Sequence, residues 1–91
     1  MTDKTGVVFL DRDGVINEDR VDYVKNLSEL KIFPWVALSV KRLNDAGFRV
    51  IIISNQQGVA KGLIAEDDLA AIQERITREV ESAGGRIEAF Y

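Results

Sequence analysis

Two carboxylates stand two positions apart, Asp11 and Asp13, after a short apolar run and before Gly14. In extended chain, residues i and i+2 point the same way, so both carboxylates can reach one small volume. Such a pair repels itself, and a divalent cation relieves the repulsion. Hard oxygen ligands with no softer donor nearby select Mg2+. One carboxylate is then free to attack phosphorus or to shuttle a proton, because two carboxylates in different surroundings can divide those roles. The string Asp11-Arg12-Asp13-Gly14 also reads simply as a turn after a strand. A calcium loop is excluded, since glycine falls at the fourth position instead of the sixth and Val15 occupies a ligand position.

A second polar cluster, Ser54-Asn55-Gln56-Gln57, is followed by Gly58 and Gly62. It offers a hydroxyl and a run of backbone N–H groups that can face an anion, with the glycines allowing close approach of main chain. The plain alternative is a polar loop closing a strand. Neither a Walker loop nor a G-x-G-x-x-G fingerprint is present. With no cysteine and no histidine among 91 residues, thiolate nucleophiles, disulfides, imidazole bases and Cys/His metal sites are excluded. Fifteen acidic against twelve basic residues, net −3, give no basic footprint for nucleic acid or an anionic membrane. An anionic substrate would need a metal.

The elements that must position these clusters follow from hydrophobic patterning. Gly6–Leu10 is short, β-branched and aromatic, a buried strand. Val15–Ile32 keeps no single period and reads as an excursion loop with one turn of helix at most. Pro34 suits a first helical turn, and Val36, Val40 and Leu43 recur on one face until Gly47. Phe48–Ile53 carries four consecutive β-branched residues, a strand expected to be buried on both faces. Glu66, Asp67 and Asp68 suit a helix N-terminus, with Leu69, Ile72, Ile76 and Val80 at helical spacing until Gly84-Gly85. Arg86–Tyr91 alternates weakly and begins a third strand. The order predicts one domain of the α/β class, a Rossmann-like doubly wound parallel sheet with right-handed crossovers. Ligands bind beyond the carboxyl ends of such strands, where both polar clusters fall, so the two should face each other across one cleft. No apolar stretch approaches the roughly 20 residues that span a bilayer, and Met1–Gly6 lacks the apolar core of a signal peptide, so the expected compartment is the cytoplasm.

Val8-Phe-Leu-Asp11-Arg-Asp13-Gly-Val-Ile-Asn17 resembles the first motif of the haloacid dehalogenase superfamily of phosphatases, and Ile51-Ile-Ile-Ser54-Asn55-Gln56-Gln57-Gly58-Val59-Ala60-Lys61-Gly62 resembles its second. The longer strings are similar to a branch holding D-glycero-D-manno-heptose 1,7-bisphosphate phosphatases and histidinol-phosphate phosphatases. The resemblance implies an Mg2+-dependent phosphomonoesterase acting on a small phosphorylated sugar, or alternatively on histidinol phosphate. It implies Asp11 as the nucleophile, forming an aspartyl phosphate, and Asp13 as the acid/base. Mg2+ would rest on the Asp11 side chain and the Asp13 main-chain carbonyl, and Ser54 and Asn55, with Gln56 and Gln57 beside them, would bind the phosphoryl group. Asn17, Asp19, Arg20, Asp22 and Tyr23 are implicated in substrate contact, although Asp22 and Tyr23 read equally well as solvated loop. Arg12 is either part of the site or a surface charge, and Lys61 orders its loop.

The family continues with a Cys/His loop for structural Zn2+, an Arg-Lys pair and a further acidic residue, all of which would lie beyond Tyr91. The expectation is therefore an incomplete domain, residues 1–91 corresponding to an amino-terminal half and inactive alone, with an open sheet edge prone to self-association. The competing reading is a non-catalytic phosphate- or metal-binding module, or a folding fragment.

Overall fold

The computed structural model describes residues 6–20, 22–54 and 57–91, with main chain only at 57–58. β1 (Gly6–Asp11) and β2 (Phe48–Ile53) run parallel in an unbroken register, from Gly6 opposite Phe48 to Asp11 opposite Ile53. β3 (Ala89–Phe90) pairs with the other side of β2, also in parallel. It is shorter than the alternation at 86–91 implied. Glu88 N–H to the Val50 carbonyl and Tyr91 N–H to the Ile52 carbonyl, both 2.8 Å, nevertheless carry the ladder past both of its ends. The strand order is β1-β2-β3.

Two helices supply the crossovers. α1 (Val36–Asp45) begins two residues after Pro34, because Pro34 and Trp35 form the turn that leads into it, with Trp35 stacked on Phe33 at a centroid distance of 4.8 Å. A second, one-turn helix, α2 (Gln57–Ala60), replaces part of the loop expected after β2. The long helix α3 (Glu66–Ser82) starts on its three acidic residues, as their charge complementarity to the helix N-terminus requires. Its end is set by close packing. A Cβ on Gly85 would lie 2.9 Å from Val80 and 3.1 Å from the Lys41 backbone nitrogen, so only glycine lets the chain leave α3 this near α1.

Val36 and Val40 of α1, Ile72, Ile76 and Val80 of α3, and Val50 and Ile52 of β2 close into one core. Both helices thus cover the same face of the sheet. β2 is accordingly buried on that face only, with Ile53 38% exposed on the other, which corrects the expectation of burial on both. Among its described residues, the excursion 12–35 contains turns and two short bridges, Asp13 to Asn17 and Asn17 to Ile32, and no helix. Ile16 and Val24 are fully buried in the core, and these two side chains tie the excursion to it.

Candidate active site

The chain leaves β1 through a tight turn centred on the Arg12 carbonyl, which accepts N–H groups from Val15, Ile16 and Asn17 at 3.3, 2.8 and 3.1 Å. Arg12 N–H in turn donates to the Ile53 carbonyl at 2.8 Å, so the turn is pinned to the end of the neighbouring strand. Gly14 takes φ +89°, a left-handed conformation that side chains disfavour. The result is a mouth at the strands' carboxyl ends, an open cavity of about 410 Å3 lined by Asp11, Arg12, Asp13, Asp19, Arg20, Tyr23 and Ile53.

The two carboxylates differ sharply in surroundings. Asp11 ends β1 exposed, and its side chain has no hydrogen-bond partner among the described residues. Asp13 is mostly covered and is gripped from one side. Arg12 donates from Nη2 to Oδ1 at 2.9 Å and to Oδ2 at 3.2 Å, and from Nε to Oδ1 at 3.2 Å. Asn17 Nδ2 adds a bond to Oδ1 at 3.0 Å. Arg12 is only 3% exposed, so the reading of it as a surface charge is set aside. Asn17, expected against substrate, is fully buried behind Asp13 and does not line the cavity.

The far wall belongs to the excursion. Arg20 donates to Asp22 through Nε at 3.0 Å and Nη2 at 3.2 Å, and Lys25 Nζ reaches Asp22 at 3.1 Å and Glu29 at 3.2 Å. Hydrogen bonds from Arg20 and then Lys25 push the Asp22 carboxyl down to about 2. The Lys25 backbone N–H chiefly lowers Glu29, and the bonds to Asp22 chiefly raise Arg20 and Lys25. All four groups therefore stay charged through the neutral range. Asp22 itself is not among the residues lining the cavity, but its carboxylate accepts from Arg20, which does line it. Tyr23 reaches the same wall from a left-handed backbone, φ 67°. Asp19, Arg20 and Tyr23 are thus brought together with Asp11 and Asp13, whereas Asn17 and Asp22 stand behind them.

On the β2 side, Ser54 follows the Asp11–Ile53 pair directly and donates its backbone N–H to the Tyr91 carbonyl at 2.7 Å. Asn55 and Gln56 lie outside the described residues, and Gln57 opens α2. Among the described residues, no three acidic, histidine or cysteine side chains are grouped to hold a metal, and no helix is long and apolar enough to cross a membrane. Two hard oxygen donors are nonetheless available. The bridge to Asn17 uses the Arg12 carbonyl and the Gly14 N–H, leaving the Asp13 carbonyl outside it, and the Asp11 carboxylate has no hydrogen-bond partner among the described residues. Such a pair fits a small cation that retains several waters, as Mg2+ does.

No family model matches the chain. It is 44% identical over 80 residues, 88% of its length, to the D-glycero-beta-D-manno-heptose-1,7-bisphosphate 7-phosphatase of Rhodopseudomonas palustris, of which it spans 44%. The crystal structure of the D,D-heptose 1,7-bisphosphate phosphatase of B. bronchiseptica, complexed with magnesium and phosphate, superposes with a TM-score of 0.89 at 34% identity, over 94% of this chain and 48% of that one. A candidate HAD-like phosphatase of Mesorhizobium loti superposes with a TM-score of 0.76 at 31% identity, over 91% of this chain and 39% of that one. The chain therefore has the parallel sheet and helices of HAD-like phosphatases, and spans about half the length of the relatives it matches or less.

Proposed function

We propose that this chain, homologous over most of its length to heptose bisphosphate phosphatases, carries the nucleophile and the acid/base of a phosphomonoesterase acting on a small phosphorylated sugar, heptose 1,7-bisphosphate by analogy with those relatives. The 91 residues make one α/β unit of a single haloacid dehalogenase-type domain. The observation that carries the reading is the contrast between the two carboxylates at one cavity, one exposed and without a partner, the other held by Arg12 and Asn17.

An unpartnered carboxylate at the mouth is free to approach phosphorus in line, and that role falls to Asp11. Its oxygen bonds to phosphorus as the ester P–O bond breaks, and the electron pair leaves on the sugar oxygen. Protonated Asp13 gives that oxygen its proton, so the product departs as an alcohol and the phosphoryl group stays on Asp11. In the second half, water attacks phosphorus and passes its proton to the Asp13 carboxylate, the bond between phosphorus and the Asp11 oxygen breaks, and inorganic phosphate departs while Asp11 regains its intact carboxylate. Mg2+, held by the Asp11 carboxylate and the Asp13 main-chain carbonyl, would supply charge neutralisation at the phosphoryl oxygens. Asp19, Arg20 and Tyr23 line the wall that the sugar would face. Ser54, Asn55, Gln56 and Gln57 follow the neighbouring strand, and Ser54 and Asn55 would bind the phosphoryl oxygens.

The test is phosphate release from heptose 1,7-bisphosphate by a complete enzyme that contains these residues, and by its Asp11→Asn variant. A neutral amide cannot attack, so turnover should vanish while circular dichroism and melting temperature stay at wild-type values. Phosphate release at the wild-type rate by Asp11→Asn would end the proposal.

A further inference from the structure

We infer that Arg12 and Asn17 are positioning residues that hold Asp13 by its Oδ1 and leave Oδ2 as the oxygen that moves the proton. The inference rests on Asp13 being the acid/base. Oδ1 accepts three N–H groups, from Arg12 Nη2 at 2.9 Å, Arg12 Nε at 3.2 Å and Asn17 Nδ2 at 3.0 Å. A carboxylate oxygen has about two lone-pair sites, so Oδ1 is saturated. Oδ2 receives one contact only, from Arg12 Nη2 at 3.2 Å, and keeps capacity for a proton or a water.

The clamp is built for orientation. Sequence neighbours on a strand point to opposite faces, so Arg12 can meet Asp13 only because the chain turns immediately after β1. The guanidinium is 3% exposed, presents a rigid planar fork, and cannot itself take up the proton that Oδ2 gains. Its charge also offsets the repulsion that two carboxylates and a phosphate would otherwise create in one cavity. Asn17 has no exposed surface, and its Nδ2 is shared between Asp13 and the Glu18 carbonyl at 3.0 Å each. Exchanging the amide ends would set oxygen against both acceptors, so the donor orientation is required. The cost is visible in Asn17 Oδ1, which is buried with no partner among the described residues. A residue kept only to fill this space would not carry that penalty.

The test compares kcat/KM, which reports formation of the aspartyl phosphate, on two substrates. Heptose bisphosphate leaves as an alkoxide and needs a proton; para-nitrophenyl phosphate leaves as a stable phenolate and does not. Asp13→Asn sets the benchmark. For Arg12→Lys and Asn17→Ala, the expected loss is about 10²-fold on the sugar phosphate, in the ordinary range of general acid catalysis. On the aryl phosphate the same variants should stay within a small factor of wild type. Equal losses on both substrates, or no loss on either, would overturn the positioning role, because a merely structural defect does not discriminate leaving groups. If Asp13→Asn itself shows equal losses, the acid/base reading fails and takes this inference with it; if only Arg12→Lys and Asn17→Ala do, the inference fails alone. Should Arg12→Lys not fold, Asn17→Ala and Asn17→Ser apply the same comparison.

Discussion

Asp11 and Asp13 are chemically identical side chains that differ in what the chain wraps around them. Asp11 stops at the strand end and meets the cavity unpartnered; Asp13 sits one turn further on, with a buried guanidinium and a buried amide against one of its oxygens. That both carboxylates reach one cavity was legible from D-x-D-G, because strand geometry aims residues two apart in one direction. What composition and spacing could not reveal was the clamp. Arg12 looks like any charged residue in a turn, and Asn17 like a polar loop residue fit to touch substrate. Their burial depends on Ile16 packing into a core built from residues far along the chain. The signal that was available, a charged residue wedged between two carboxylates at a strand end, carries no information about which way it faces.

Apart from the one-turn α2, the strands and helices were readable to within a few residues, since Ile72, Ile76 and Val80 or the run Val50–Ile53 leave little choice of period. The excursion was not. Its two anchoring apolar residues, Ile16 and Val24, are isolated in sequence and belong to no periodic face, and its order comes from charge pairing that only the folded backbone assembles. Each of those exposed pairs is individually weak and screened by water, but four groups share one another. Their pH dependence has a definite sign. Asp22 and Glu29 are depressed, so their contribution is complete above ordinary carboxylate values of 3.8 and 4.5 and disappears as pH falls through the lowered ones. Lys25 is raised, so its contribution is complete below 10.5 and is lost only as pH climbs through the higher folded value. The excursion should therefore keep its conformation across the neutral range and loosen only toward about pH 2. Carboxyl chemical shifts read this directly, with Asp22 titrating near 2 and, in Arg20→Gln, returning toward 3.8. A midpoint near 3.8 in the unsubstituted protein would show that the network does not hold Arg20 at the cavity wall.

Across the molecule, the sheet is covered on one face and bare on the other. Val7, Phe9 and Ile53 lie on the bare face, 44%, 59% and 38% exposed, and β1 pairs with β2 alone among the described strands. An apolar edge strand with unpaired N–H and C=O groups recruits further strands, and a patch of this kind favours association. The 91-residue chain should sediment as dimers or larger species, and Phe9→Lys should shift it toward monomer. A clean monomer at micromolar concentration would contradict this reading of the bare face. The cavity lies at the carboxyl end of the same sheet, and the claim on which the proposed function depends is that the phosphoryl group is transferred to Asp11. On the proposed mechanism, Asp13→Asn removes the group that activates water, so a covalent intermediate formed on Asp11 should persist. The decisive measurement is rapid quenching of that variant during turnover of para-nitrophenyl phosphate, whose leaving group needs no proton from Asp13, followed by mass spectrometry of its peptides. Phosphate on the peptide bearing Asp11, assigned to that residue by fragmentation, is the predicted result; phosphate on another side chain, or substrate consumed with no covalent phosphate at any time, would contradict it.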